Sequence, residues 1–167
     1  QRQMCIRDRL QPYRQAFSFT EAAKEVIVLQ ENIAEAKGIK IYNHIDRPFT
    51  GYADVNMMKT VLRNLLSNAI KFSYTGGRID VDCREENGSL TVIVKDRGQG
   101  IGEEHQQGLL DDGLHFISYG TQKEKGSGLG LQLCKDFVKM NHGKLWFESK
   151  EGKGTTFYFS VPVEESL

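Results

Sequence analysis

Cysteine is scarce in this sequence: Cys5, Cys83 and Cys134 are the only three in 167 residues. Odd in number and far apart, they make neither a disulfide framework nor a metal-binding pair, and they fit a reducing cytoplasm. An excess of either charge is missing as well, because 22 Lys plus Arg balance 22 Asp plus Glu. That excludes a nucleic-acid surface resting on bulk positive charge but leaves room for a local anion site. No apolar run approaches the roughly 20 residues that cross a bilayer, and no signal-peptide h-region opens the chain. The expectation is a soluble intracellular domain with no nucleic-acid partner and no direct membrane contact. Its length suits one domain able to bury a real core.

What is present is organised. The first nine residues carry no usable periodicity and read as a tail. From Thr20, Ala23, Val26, Ile27, Ile33 and Ala34 recur at helical spacing, with Thr20 as the expected N-cap and Gly38 just past the C-terminus. Residues 39–45 alternate through Ile39, Ile41 and Ile45 and read as a strand. "DRPFTGYAD" reads as a loop. A long helix follows with Asp54 as N-cap, and Val55, Met58, Val61, Leu62, Leu65, Leu66, Ala69 and Ile70 gather on one side of it. "RIDVDCRE", the turn Asn87-Gly88 and "SLTVIVKD" form a hairpin. Residues from Gly98 to about Gly126 are glycine-rich and aperiodic, a length typical of functional lids. A helix restarts within "SGLGLQLCKDFVKMNHG" and is expected to stop at Gly143. "KLWFES" and "GTTFYFSVP" make a second hairpin, with Phe157, Phe159 and Val161 on one face and Trp146 expected in the core. This order predicts an α+β fold with a helix layer on a mixed sheet.

Three places carry chemistry. Asn64, Asn68 and Lys71 stand at i, i+4 and i+7 of the long helix and share a stripe away from the leucine face. Alone, the stripe reads equally well as a solvated helix face. An Asn carbonyl is also a hard-oxygen ligand suited to Mg²⁺, which takes few protein ligands and completes its shell with phosphate and water. Lys71, one turn on, can meet a phosphate as a point charge. Next, in "KDRGQGI", an apolar strand ends at Asp96 followed by Gly98, Gly100 and Gly102. A carboxylate only accepts hydrogen bonds, so it favours a ring edge bearing an amine, as adenine has, over one bearing a carbonyl. Gly98 and Gly100 lack Cβ atoms, which would let a flat base lie against the main chain; a capped glycine turn is the plainer alternative. Third, in "EKGSGLGL", Gly126, Gly128 and Gly130 precede or open a helix whose free amides and dipole suit phosphates, or else form a hinge. This is neither the G-x-x-x-x-G-K-[ST] phosphate loop nor the G-x-G-x-x-G dinucleotide fingerprint.

The order of these elements is more specific than any one of them. It resembles the ATP-binding catalytic domain of sensor histidine kinases, in the superfamily shared with DNA gyrase, mismatch-repair ATPases and certain chaperones. "NLLSNAIKFS" is similar to the family's N box, "DRGQGI" to its G1 box and "GSGLGL" to its G2 box, and the likeness runs from about Phe17 to Val163. The resemblance implies a two-layer α/β sandwich of the Bergerat type. A mixed, largely antiparallel sheet would be covered on one face by about three helices, with a glycine-rich ATP lid. It implies ATP and Mg²⁺ as cofactors and Asn68 as the metal ligand. Asp96 would contact adenine, Lys71 a phosphate, and Phe72 would border the nucleotide. Gly98, Gly100 and Ile101 would line the site, while Lys125, Gly126, Gly128, Leu129, Gly130 and Leu131 would close over the phosphates, with Lys123 as a further partner. Asn64 stands where hydrolysing relatives usually carry a water-activating glutamate. Asn64 and Lys71 are therefore assigned to catalysis of phosphoryl transfer rather than hydrolysis.

The resemblance also implies partners. They are the histidine-bearing dimerisation domain of the parent kinase and, through it, a response regulator. Nothing here matches the phosphoacceptor motif: His44, His105, His115 and His142 read as surface or structural histidines. Residues 1–15 are accordingly expected to be a tail or linker remnant, with Arg9 to Ser18 as the stub of absent helices, and 16–167 the ATP-binding domain. The domain is expected to be cytoplasmic and monomeric, a parent anchored in the inner membrane being compatible with both. The F box around Phe116 departs from the usual phenylalanine spacing. Two alternatives stay open, a nucleotide sensor that transfers nothing and an ATPase of the gyrase or chaperone type.

Overall fold

The computed structural model describes residues 11–107, 109 and 129–165. Chain order is β1 (Gln15–Ser18), α1 (Phe19–Ala36), β2 (Lys40–Asn43), β3 (Thr50–Ala53), α2 (Val55–Phe72), β4 (Arg78–Glu86), β5 (Ser89–Asp96), the one-turn α3 (Glu103–Gln106), α4 (Leu129–Met140), β6 (Lys144–Lys150) and β7 (Gly154–Pro162). A five-stranded sheet runs β2-β4-β5-β7-β6, and β1 pairs with β3 in a separate two-stranded sheet. Only β2 with β4 is parallel; the other pairs of the large sheet are antiparallel. The mixed, largely antiparallel sheet and its helix layer are as expected.

Alternation along the strands decides which face the helices cover. Ile79, Val81 and Cys83 of β4, Leu90, Val92 and Val94 of β5, and Phe157, Phe159 and Val161 of β7 are buried together with Met58, Val61, Leu62, Leu65 and Leu66 of α2. Burying each such side chain stabilises the fold by about 1.5–3 kcal/mol. The opposite face is largely polar. Trp146 lies there, 36 % exposed, stacked on Tyr158 at 5.2 Å between ring centroids, so it is not the core residue expected from the sequence. Its place in β6 puts it out of phase with Leu145 and Phe147, which pack against the core.

Several boundaries differ from the sequence reading for identifiable reasons. α1 begins two residues early, capped by Ser18, whose Oγ accepts from the Glu21 amide at 3.2 Å. Thr20 lies inside the helix, where its hydroxyl donates to the Arg47 carbonyl and accepts from the Phe49 amide, both at 2.9 Å. Ile33 is 56 % exposed rather than on the core face. "DRPFTGYAD" is not all loop, because β3 forms by pairing with the strand β1. α4 ends at Met140, and His142 takes the left-handed turn at φ +63. Gly143 is required for another reason: a Cβ there would stand 1.8 Å from the Ser160 carbonyl oxygen. Asp54 does cap α2, accepting from the Asn56 and Met57 amides, and Gly38 follows α1 at φ +70.

Candidate nucleotide-binding site

Those expected site residues that are described lie on α2, at the end of β5 with the loop after it, and at the start of α4. On α2, Asn64, Asn68, Lys71 and Phe72 are half-buried, in contrast to the buried leucine face of the same helix. Nζ of Lys71 lies 4.7 Å from the centroid of the Phe72 ring, so the ammonium sits over the ring at the helix end. α4 packs against α2. The Cα of Gly130 presents its open side to Asn64, whose Cγ and Oδ1 would lie 3.9 Å from a Cβ there. Gly130 and Leu131 are half-buried, and Leu131 packs against the core. Leu129 is the first residue of α4. Lys123, Lys125, Gly126 and Gly128, like Phe116 and most of the expected lid, lie outside the described residues.

Asp96 closes β5, a strand paired on both sides, so its backbone is held by β4 and β7. The side chain is only 6 % exposed. Oδ1 accepts from the Gly98 amide at 2.9 Å and from the Thr155 amide at 3.2 Å. Among the described residues Oδ2 takes no hydrogen bond, which leaves one acceptor oxygen on a rigidly oriented carboxylate. Burial pushes its pKa up to about 6, against the opposing pull of those two amides and of the Arg97 charge.

The structure supplies a different reason for the glycines after Asp96. A Cβ on Gly98 would stand 1.9 Å from the Phe72 carbonyl oxygen, and one on Gly100, at φ +69, would stand 2.1 Å from that of Lys150. Their room is taken by the chain's own backbone, not reserved for a base. The contact draws the loop against the C-terminus of α2, where the Gln99 amide donates to the Phe72 carbonyl at 3.0 Å. On the other side the Ile101 amide donates to Ser149 Oγ at 2.8 Å, and the Gly152 amide to the Gln99 carbonyl at 2.8 Å. Ile101 is thereby half-buried against the core.

Sequence reading missed the residues that hold this arrangement from behind. Lys37 is 7 % exposed, and its ammonium donates to the carbonyls of Ile70 at 3.0 Å and Lys71 at 2.9 Å. It thus caps the end of α2 from another element and complements the helix dipole. Asn141, fully buried, accepts from the Asp54 amide at 2.8 Å and donates to the Phe137 carbonyl, tying the end of α4 to the start of α2. Arg97 reaches from the loop to Asp80 Oδ2 at 2.6 Å, and Asp80 also accepts from Arg78 and meets His44. Burial disfavours the Asp80 charge, but the hydrogen bonds from Arg78, Arg97 and His44 outweigh it and hold the carboxyl well below the usual range. No local pattern marks the Lys37, Asn141–Asp54, Arg97–Asp80 and His44–Asp80 contacts, because each joins residues at least 17 positions apart along the chain. Cys83 and Cys134 are free and buried, and burial pushes both thiols up to about 12.

Residues 53–165 match the family model described as histidine kinase-, DNA gyrase B- and HSP90-like ATPase. The chain is 31 % identical over 156 residues to the adaptive-response sensory kinase SasA of Crocosphaera subtropica, covering 92 % of this chain and 40 % of SasA. It is 37 % identical over 127 residues to the sensor histidine kinase WalK of Bacillus subtilis, covering 75 % of this chain and 21 % of WalK. Among solved structures, the catalytic domain of histidine kinase ThkA superposes with a TM-score of 0.75 at 28 % identity, over 90 % of this chain and 95 % of that one. ThkA in complex with the response regulator TrrA matches with a TM-score of 0.71 at 25 % identity, over 90 % of this chain and 42 % of that one. A half-buried Asn/Lys helix, a clamped strand-end carboxylate and a glycine-opened helix therefore stand in a known frame: the chain belongs to the histidine kinase-, DNA gyrase B- and HSP90-like ATPase family, as the ATP-binding domain of a sensor histidine kinase. It spans well under half the length of these curated relatives.

Proposed function

We propose that this domain binds ATP together with Mg²⁺ and presents the γ-phosphoryl to a histidine on a separate dimerisation domain. The observation that carries the reading is Asp96, a buried carboxylate with Oδ1 tied to two amides and Oδ2 open. Such an acceptor matches the exocyclic amine of adenine and repels the carbonyl that guanine carries at the same position. The half-buried amide of Asn68 fits a cation that takes few protein ligands. Among the described residues no cluster of three or more His, Cys, Asp and Glu offers a carboxylate cage instead. When bound, Mg²⁺ supplies charge neutralisation at the phosphates.

The remaining roles follow from chemistry at the same cleft. Lys71 contributes a second positive charge beside Phe72, the ring that borders the nucleotide. Gly98, Gly100 and Ile101 shape the floor by fastening the loop to α2 and to β6. Backbone amides at Gly126, Gly128, Leu129, Gly130 and Leu131, with Lys125, close over the phosphates. The Asn64 amide has no basic lone pair to accept a proton from water, so hydrolysis goes unassisted and the phosphoryl is kept for transfer. The response regulator is then served through the dimerisation domain, in the cytoplasm, by a domain that is itself a monomer.

Calorimetric titration with ATP, ADP and GTP, with and without Mg²⁺, tests this reading. ATP and ADP bind and GTP does not; Asp96→Asn loses most of the affinity, and Asn68→Ala loses chiefly the part that depends on metal. Equal affinity for GTP overturns the role of Asp96. Labelled ATP given with the parent kinase's dimerisation domain then labels its histidine, whereas tight binding without label refutes transfer.

A further inference from the structure

At the ends of three neighbouring strands the helix-facing side of the sheet carries a polar row: Asp96 of β5, Thr155 of β7 and Ser149 of β6. Each continues the alternation of apolar residues in its own strand, Val92 and Val94, Phe157 and Phe159, Leu145 and Phe147. Thr155 is 6 % exposed, and Ser149 is its cross-strand partner. The Ser149 hydroxyl meets three groups: the Ile101 amide at 2.8 Å, the Thr155 hydroxyl at 2.7 Å and the Gly154 carbonyl at 3.1 Å. A carbonyl only accepts, so the one hydrogen of Ser149 goes to Gly154, and its two lone pairs take the Ile101 amide and the Thr155 hydroxyl. All three contacts are then satisfied, and the hydroxyl keeps no capacity for a ligand. Gln106 grips the same junction, its amide donating to the Ile101 carbonyl at 2.7 Å and to the Ser149 carbonyl at 3.0 Å. Gly154, at φ +114, lies so close to β5 that a Cβ would stand 2.3 Å from the Asp96 carbonyl oxygen. Whatever fixes residues 154–155 therefore fixes the Thr155 amide, which holds Asp96 Oδ1 at 3.2 Å.

We propose that Ser149 is a positioning residue for base recognition: through Gly154 and Thr155 it fixes Asp96, and through Ile101 it fixes the loop that follows Asp96. The role presupposes that Asp96 reads adenine, as proposed above. Without the Ser149 hydroxyl, the Ile101 amide and the Thr155 hydroxyl lose their shared acceptor and the Gly154 carbonyl loses a donor. Oδ1 is then held less firmly, and Oδ2 is no longer aimed in one direction. A loosened carboxylate still accepts hydrogen bonds, but it separates an amine from a carbonyl less sharply.

ADP and IDP carry an amine and a carbonyl at the same ring position, and calorimetric titration with both, Mg²⁺ present, reads the discrimination. Ser149→Ala weakens ADP binding about tenfold while IDP binding barely changes, so the ratio narrows. Ser149→Thr keeps the hydroxyl and keeps the ratio. NMR titration of the Asp96 carboxyl without nucleotide adds a readout that a merely structural role would not move. A weaker bond from the Thr155 amide carries the Asp96 midpoint upward from about 6 in Ser149→Ala, because that amide favours the ionised form. Arg97, the charge that also favours ionisation, stays bound to Asp80 in the variant. Equal losses of ADP and IDP, an unchanged ratio, an unmoved midpoint, or no rescue by Ser149→Thr at an unchanged melting temperature overturns the proposal and leaves the nucleotide reading standing. An unaltered domain that binds neither nucleotide, or both equally, overturns the two together. Should Ser149→Ala fail to fold, Ser149→Cys, similar in size with a weakly accepting sulfur, is read the same way.

Discussion

Gly98→Ala separates a glycine kept for the ligand from one kept for the fold. The added methyl would meet the Phe72 carbonyl oxygen at 1.9 Å, its carbon at 2.6 Å and the Cα of Ser73 at 2.9 Å, all of them backbone atoms. No side chain can swing aside, so the loop and the end of α2 must part by about 1.5 Å to restore ordinary contact. That separation breaks the hydrogen bond from the Gln99 amide to the Phe72 carbonyl. Overpacking costs about 1–3 kcal/mol, and the lost bond adds about 1 kcal/mol. The variant is expected to be less stable by about 2–4 kcal/mol, lowering the melting temperature by roughly 5–15 °C for a domain of this size. Thermal unfolding followed by circular dichroism, without nucleotide, reads this directly. An unchanged melting temperature accompanied by weaker ATP binding refutes the reasoning, because it would mean the space belongs to the ligand.

Gly130→Ala should behave oppositely. Among the described residues a Cβ there meets Asn64 at 3.9 Å, an ordinary contact, and alanine favours the helix by up to about 1 kcal/mol. The melting temperature holds or rises in the same experiment, and any loss shows in calorimetric ATP affinity. Asp96 sets a pH dependence of definite sign. Its folded pKa near 6 exceeds the ordinary 3.8, so the nucleotide-free domain gains stability as pH falls through 6, by up to about 3 kcal/mol, relative to Asp96→Asn. Adenosine binding runs the other way and weakens below pH 6 as the acceptor becomes protonated; a flat profile from titrations between pH 5 and 8 contradicts the assignment. Lys37→Met strips the Ile70 and Lys71 carbonyls of their buried donor and should cost about 2–4 kcal/mol in urea unfolding. ATP affinity falls as well, because the end of α2 that carries Lys71 and Phe72 loses its cap.

Legibility followed the range of the interaction. The α2 face was readable because Met58, Leu62, Leu65 and Leu66 repeat at the helical period, and the β4–β5 hairpin because Asn87-Gly88 can take positive φ at both turn positions. β1 and β3 escaped notice since each is four residues long and exists only by pairing with the other across more than thirty positions. Trp146 looked like core by its chemistry, yet strand phase sends it to the open face.

What the chain's own order determined is the sequence of chemical groups: amides and a lysine on one helix stripe, a carboxylate at a strand end, glycines at a helix start. Local rules suffice for these, because helix and strand periods are properties of neighbouring backbone. Only the tertiary structure decided how those groups are held. It set Asp96 Oδ1 against the Thr155 amide, brought the Lys37 ammonium under the end of α2, and spent the space at Gly98 and Gly100 on main-chain contact. The physical reason is that backbone hydrogen bonding and close packing between distant segments depend on distances that no spacing along the chain encodes.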